Sequence, residues 1–187
     1  MSPTLRNQVL TAFGLLALTL ITRGSHVGSG AMLPDATLAA MLLGGMLLGS
    51  GLWFATFMSV CVAIDAYAVG IAGVSSYCLT PAYWALVPTY GVMWLGGAWL
   101  GKQVRAFDPA PFAIVSLVTT SVAFVISTHS FYLFSGRFPE ASVWQVLQHG
   151  WEYFPQYMGY TMMYLGAAWA IKQAFGFLGV TSKSKTA

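Results

Sequence analysis

The sequence predicts an all-α integral membrane protein with six transmembrane helices, and three observations lead to that class. Of the 187 residues, 57% are hydrophobic and only 7% are charged, whereas soluble domains are about half apolar and a quarter charged. The apolar runs are long and lack the alternation of polar and apolar residues that a membrane β-barrel shows. Because backbone amides in lipid must be satisfied internally, these runs are expected to form helices.

Six apolar segments suit a bilayer core, which takes roughly 20 residues per helix. They cover approximately residues 9–21, 36–48, 52–72, 84–100, 112–134 and 153–172. The second and third would otherwise form one helix far longer than a bilayer is thick, at 1.5 Å per residue. The turn Gly49-Ser50-Gly51 is therefore predicted to separate them, and an interfacial turn from Trp144 is predicted to precede the last span.

The basic residues predict the orientation. With the N-terminus inside, six of them face the cytoplasm, namely Arg6, Lys102, Arg105, Lys172, Lys183 and Lys185, and only Arg23 and Arg137 face outward. This bias follows the positive-inside rule. An even number of spans then places both termini in the cytoplasm of a bacterial inner-membrane protein. Residues 1–179 are expected to form one domain and residues 180–187 a short tail. The net charge of +3 does not suggest a nucleic-acid partner.

The predicted topology collects reactive side chains on the outer side, at His26, Cys78, His129 and His149. Cys78 is the strongest candidate, because it lies in the loop VSSYCLTPAYW next to Pro81, whose ring fixes the backbone. A thiolate is a soft ligand that suits transition metals. From the residues alone, a small apolar side chain packed in a loop is the somewhat favoured interpretation, and the ligand role stays open beside it.

Asp65 is the only acid well inside an apolar segment, and such a carboxylate indicates either a functional site or a buried pair that locks helices. Four tyrosines in the last span have the spacing of one helical face: Tyr153, Tyr157, Tyr160 and Tyr164. Such a row suits either the wall of a cavity for a large, flat, partly polar ligand or ordinary helix packing.

The strings SSYCLTPAY, GSHVGSGAMLPD and ISTHSFYLFSGRF, together with Asp65, resemble the BtuM family of Gram-negative bacteria. These small vitamin B12 uptake proteins are related to the substrate-binding S-components of energy-coupling-factor transporters. The resemblance covers essentially the whole chain and implies a six-helix S-component-like bundle whose functional loops face outward.

The resemblance also implies a ligand and its contacts. Cys78 would supply its sulfur as an axial ligand to the cobalt of cobalamin, with the nucleotide base displaced, and would thereby remove cyanide from cyanocobalamin. His26, Asp65 and Tyr83 match polar positions that the family uses around the ligand. Geometry adds Tyr77, Arg137, Tyr153 and Tyr157 as further candidate contacts.

The first span bears on the transport partner. S-components carry an AxxxA-type surface on this helix, which docks an ATP-driven module, but here the helix reads VLTAFGLLALTLI, with Ala12 and Ala17 five residues apart. The missing motif favours a solitary transporter in the lipid bilayer without the ATPase module. A periplasmic or outer-membrane system would deliver its cobalamin.

Three other functions are consistent with the same residues. The first is a transition-metal ion permease in which Cys78 acts with His26, His129 or His149. The second is a thiol-dependent membrane enzyme or assembly factor, in which a histidine serves as base. The third is an S-component for another vitamin.

Overall fold

The computed structural model describes residues 3–23, 33–140 and 142–184, with their side chains except at positions 3–4, 78 and 176–184. All regular elements of these residues are helical. The α-helices are α1 (Pro3–Arg23), α2 (Thr37–Leu48), α3 (Gly51–Gly70), α4 (Leu86–Gly101), α5 (Pro109–Phe134), α6 (Val143–Gln148) and α7 (Phe154–Ser184). Short 3₁₀ segments form Ser76–Cys78, Pro81–Ala85 and Trp151–Tyr153.

Three of the described helices are long and apolar enough to cross a membrane: Leu5–Arg23 within α1, all of α3, and all of α5. Large apolar side chains on the outside of the bundle are exposed, for example Phe13 (73%) and Leu52 (78%), as expected where lipid replaces water as the solvent. An all-helical chain with apolar helices suited to a bilayer is thus confirmed. The six spans, the orientation and the single domain with its tail stay predictions.

The division of the long apolar run falls where the sequence predicts it. Gly49 ends α2 in the left-handed region (φ 68°), and Ser50 begins α3 by accepting a hydrogen bond from the backbone N–H of Trp53. Glycine reaches this conformation without the Cβ penalty of other residues. With only 12 residues, α2 is about 18 Å long, shorter than the bilayer core.

The core centres on α2 and α4, whose backbones pack in direct contact. A methyl group on Gly45 would collide with the carbonyl of Trp94, and one on Gly97 with the carbonyl of Leu42. Further along, Gly101 lies against the backbone of Met46 in the same way. Small residues are what permit two helices to approach this closely in a membrane.

Replacing Gly97 with alanine is expected to destabilise the protein by about 1–3 kcal/mol, because the added methyl forces the two backbones apart. Gly91→Ala on the same helix is the matched control, since a methyl there meets nothing within 4 Å and alanine favours helix. Denaturation by sodium dodecyl sulfate, titrated into a non-ionic detergent, measures both variants. Equal stability of the two variants would contradict the close contact.

The helices alternate in direction, so that the end of one lies beside the start of the next. At one end of the bundle, the indole N–H of Trp169 and the amide of Gln173 both donate to the carbonyl of Phe107 (2.9 and 3.2 Å). At the other end, the last residues of α1, α3 and α5 meet the first residues of α2, α4 and α7. Almost all of the predicted functional residues belong to this second end.

Candidate functional site

A cavity of about 460 Å³ opens at this second end of the bundle. We call it the main cavity. Its polar wall is formed by Arg23, Asp65, Tyr77, Tyr83, Tyr153 and Tyr157. Its apolar wall includes Phe124, Phe131 and Phe138. Aromatic faces combined with a few polar groups are the usual lining of a small-molecule site, and the volume lies within the usual range.

The carboxylate of Asp65 is held by the guanidinium of Arg23 in a two-pronged ion pair. Arg23 Nε donates to Oδ1 at 2.7 Å, and Nη2 donates to Oδ2 at 2.6 Å. The side chains are only 12% and 20% exposed. A fork of this kind is both the strongest and the most directional arrangement for arginine and a carboxylate. It joins the end of α1 to α3, 42 residues apart in sequence.

Tyr83 completes the coordination of this carboxylate by donating its hydroxyl proton to Oδ2 at 2.7 Å. It belongs to the 3₁₀ segment Pro81–Ala85, which Thr80 caps by accepting from the backbone N–H of Ala82. Burial, and secondarily the hydrogen bond to Asp65, raise the pKa of Tyr83 above its usual value. The phenol therefore stays protonated and acts as a donor at neutral pH.

The other arm of Arg23 reaches α4 and the start of α2. Its Nη1 donates to the hydroxyl of Tyr90 at 2.8 Å and, at a longer 3.4 Å, to Oδ2 of Asp35 and to the hydroxyl of Thr37 in α2. One guanidinium thus joins four helices. From the sequence, Arg23 was assigned only a role in orientation. The position of Arg23 at a helix end gives no local indication that it has a partner. The buried acid Asp65, by contrast, requires a positively charged partner.

The loop that carries Cys78 forms part of the rim of the main cavity. The backbone of Cys78 ends the 3₁₀ segment Ser76–Cys78, and Ser75 caps that segment by accepting from the backbone N–H of Tyr77. Tyr77 itself lies in the cavity wall. The side chain of Cys78 and the whole of His26 lie outside the described residues, so their contacts with a ligand stay predictions.

Arg137 holds the peptide that precedes Cys78. Its Nε and Nη2 donate to the carbonyl of Tyr77 at 3.2 and 3.0 Å, and its guanidinium lies 4.0 Å above the Tyr77 ring. The sequence prediction placed Arg137 on the ligand. In the structure its contacts are with the loop, and it is not among the described residues that line the cavity.

The predicted row of tyrosines divides between different surroundings. Tyr153 and Tyr157 line the main cavity, whereas Tyr160 lines a neighbouring smaller cavity. Tyr164 lies deeper and donates its hydroxyl proton to the carbonyl of Pro34 at 2.7 Å. Tyr153 belongs to the 3₁₀ segment that precedes α7, so only the other three lie on this helix, and Tyr164 packs against the hydrophobic core.

The two described histidines, His129 and His149, have different surroundings. His129 is buried in α5, where Nδ1 contacts the carbonyl of Val125 at 2.9 Å, and its Nε2 has no partner among the described residues. His149 is exposed and contacts the carbonyl of Gln145. The described part of the chain contains no group of three or more His, Cys, Asp or Glu side chains that could hold a metal ion. Cys61 is buried in α3 with a free thiol.

Comparison with known proteins finds no matching family model and no similar curated protein. The chemistry must therefore be argued from the site. Its aromatic faces can stack against a flat ligand, its phenols can exchange hydrogen bonds with amides, and one carboxylate is fixed in place. The described lining offers binding groups, with the loop of Cys78 at its edge.

Proposed function

We propose that this chain is a six-span protein of the bacterial inner membrane that takes up cobalamin. The corrin ring binds in the main cavity from the periplasmic side, and Cys78 provides an axial ligand to cobalt. The observation that supports this most is the juxtaposition of the Cys78 loop with an aromatic cavity, since Tyr77 belongs to both. The resemblance to the BtuM family supplies the identity of the ligand.

The polar groups of the cavity suit the amide side chains at the edge of a corrin. An ionised carboxylate has about four lone-pair sites, and Asp65 uses three of them, for two N–H groups of Arg23 and for the hydroxyl of Tyr83. One site on Oδ1 remains for an amide N–H of the ligand. Tyr153, just before α7, and Tyr157, in its first turn, offer further phenols.

Cobalamin is larger than the drug-sized ligands that a cavity of about 460 Å³ encloses. In the proposed complex the cavity holds one face and edge of the corrin, and the nucleotide arm lies outside. Displacement of the nucleotide base from cobalt, which thiolate coordination requires, is consistent with that placement.

The proposed coordination of cobalt by Cys78 implies a route for decyanation. The Cys78 thiolate donates an electron pair to cobalt, the cobalt–cyanide bond breaks, and cyanide leaves with its own pair, so that the exchange itself needs no electron donor. A soft sulfur ligand suits a transition metal. The protein works as a solitary transporter without the ATPase module and receives cobalamin from a periplasmic or outer-membrane delivery system.

A growth test examines the proposal directly. A strain that can neither make nor import cobalamin is expected to grow at low cobalamin when it expresses this chain. Cys61→Ala, which changes the other cysteine, is expected to support the same growth, and immunoblots of membranes verify equal protein levels. Failure of the well-expressed wild-type protein to restore growth would refute the proposed uptake.

A further inference from the structure

A second cavity of about 250 Å³ adjoins the main cavity. The two share Leu86, Ser127 and Tyr157 in their walls. Asp35 is the only acidic or basic side chain among the described residues that line the second cavity. The proposed corrin chemistry does not use the second cavity, so a ligand for it must be inferred from the residues that line it.

The lining of the second cavity is rich in oxygen atoms. Besides the Asp35 carboxylate it contains six hydroxyl groups, those of Thr89, Tyr90, Ser127, Tyr157, Tyr160 and Thr161. The buried Thr89 and Thr161 donate their protons to carbonyls of their own helices, at Ala85 (2.7 Å) and Tyr157 (2.9 Å). Their oxygen lone pairs remain free to accept, and neutral oxygens with one carboxylate are the donors that hard cations prefer.

The charges around this cavity do not balance. Arg23 is one positive charge between two carboxylates, and its fork at 2.6–2.7 Å belongs to Asp65. The contact of Asp35 with this positive charge is longer, at 3.4 Å, and its side chain is 45% exposed. One negative charge is therefore left over among these three side chains, and it resides on Asp35.

The two carboxylate oxygens of Asp35 have different hydrogen-bond partners. Oδ1 accepts from the backbone N–H of Thr37 at 2.8 Å and from the Thr37 hydroxyl at 2.5 Å, and so caps the start of α2. Oδ2 faces only the distant guanidinium nitrogen. Capping explains the presence of an acid here, but it leaves the second oxygen available to a cation.

We infer that the second cavity binds one monovalent metal cation, sodium, with the Asp35 carboxylate as its charged ligand and hydroxyl oxygens as neutral ligands. A single excess negative charge matches a monovalent ion, whereas a divalent ion would leave an uncompensated positive charge beside the guanidinium of Arg23.

Arg23 connects the cation to the main cavity, because it contacts both Asp35 and Asp65. A sodium ion on Asp35 competes with Nη1 for Oδ2 and strengthens the hold of Arg23 on Asp65. Any resulting change in corrin affinity must be matched by an equal change in sodium affinity. This coupling rests on the proposed function, whereas sodium binding itself does not.

The test uses the full chain in detergent without any corrinoid. Radioactive sodium is expected to bind saturably, at one ion per chain, and NaCl is expected to raise the thermal unfolding midpoint relative to choline chloride at equal ionic strength. Asp35→Asn, which keeps an oxygen for the α2 cap, is expected to abolish both effects. Asp108→Asn, an exposed acid at the other end of the bundle, is expected to retain them.

Thr161→Val provides a second variant, because it preserves the side-chain shape and removes one neutral ligand from this cavity alone. We expect it to weaken sodium binding roughly tenfold. Absence of saturable binding in the wild type, or unchanged binding in Asp35→Asn, would overturn the inference. The inference would also be overturned if lowering the pH in choline chloride raised the thermal unfolding midpoint as much as sodium does, because the site would then bind a proton.

Discussion

Cys78→Ser is expected to abolish the removal of cyanide from cyanocobalamin by the purified protein. Wild-type protein should release one cyanide per bound corrinoid and acquire the absorption bands of a thiolate-bound cobalt. Serine leaves the loop backbone unchanged, but its hydroxyl is neutral at any ordinary pH and its oxygen is a hard, weak donor to cobalt. A cyanide assay and an absorption spectrum measure the two effects independently.

The matched control is Cys61→Ala, because Cys61 is buried in α3 and is 1% exposed. This variant is expected to release cyanide like the wild type. If Cys78→Ser still gave the wild-type cobalt spectrum, the cobalt–sulfur bond would be ruled out. Corrinoid binding without decyanation in Cys78→Ser would instead show that contacts with the ring suffice for affinity.

Arg23→Met is expected to lower the free energy of unfolding by about 3–5 kcal/mol, the usual cost of leaving one partner of a buried ion pair without its counter-charge. Two carboxylates, those of Asp35 and Asp65, lose their cation together, and Tyr90 loses its donor. Methionine retains the length and the packing of the arginine stem. Detergent-exchange denaturation in mixed micelles measures the change.

A double-mutant cycle separates the ion pair from the packing. Asp65→Asn removes the charge that Arg23 neutralises, so the pair Arg23→Met with Asp65→Asn is expected to be more stable than the sum of the single losses predicts. Arg137→Met is the control, since among the described residues the side chain of that exposed arginine contacts the carbonyl and ring of Tyr77, and a much smaller loss is expected. Additive losses in the cycle would contradict a direct interaction between Arg23 and Asp65.

The sequence identified Asp65 but not its partner, and the reason is physical. A carboxylate inside an apolar segment is recognisable because it violates local composition. Arg23 at the end of α1 violates nothing, since arginine commonly ends a membrane helix, and the contact joins residues 42 positions apart. One signal was available: only two arginines lie on the predicted outer side, and the buried acid needed one of them.

Features that depend on neighbouring residues were predicted more successfully than contacts between residues far apart in the sequence. The turn at Gly49 follows from chain length and glycine conformation, and it lies where the sequence places it. Helix α4 begins at Leu86 instead of Trp84, because Pro81 initiates a 3₁₀ segment that continues to Ala85. The row of tyrosines follows from helical periodicity, but periodicity cannot tell which of its members meets a cavity and which meets another helix.

The direct contact between the backbones of α2 and α4 constrains how a solute could pass. No side chain separates the two helices at Gly45 and Gly97, so we expect this pair of helices to move as one unit. If the chain transports a solute by alternating access, as the proposed function requires, the surrounding helices would move relative to this pair. The hydrogen bonds of Arg23, which join α1 and α3 to α4, would then have to break or rearrange during transport.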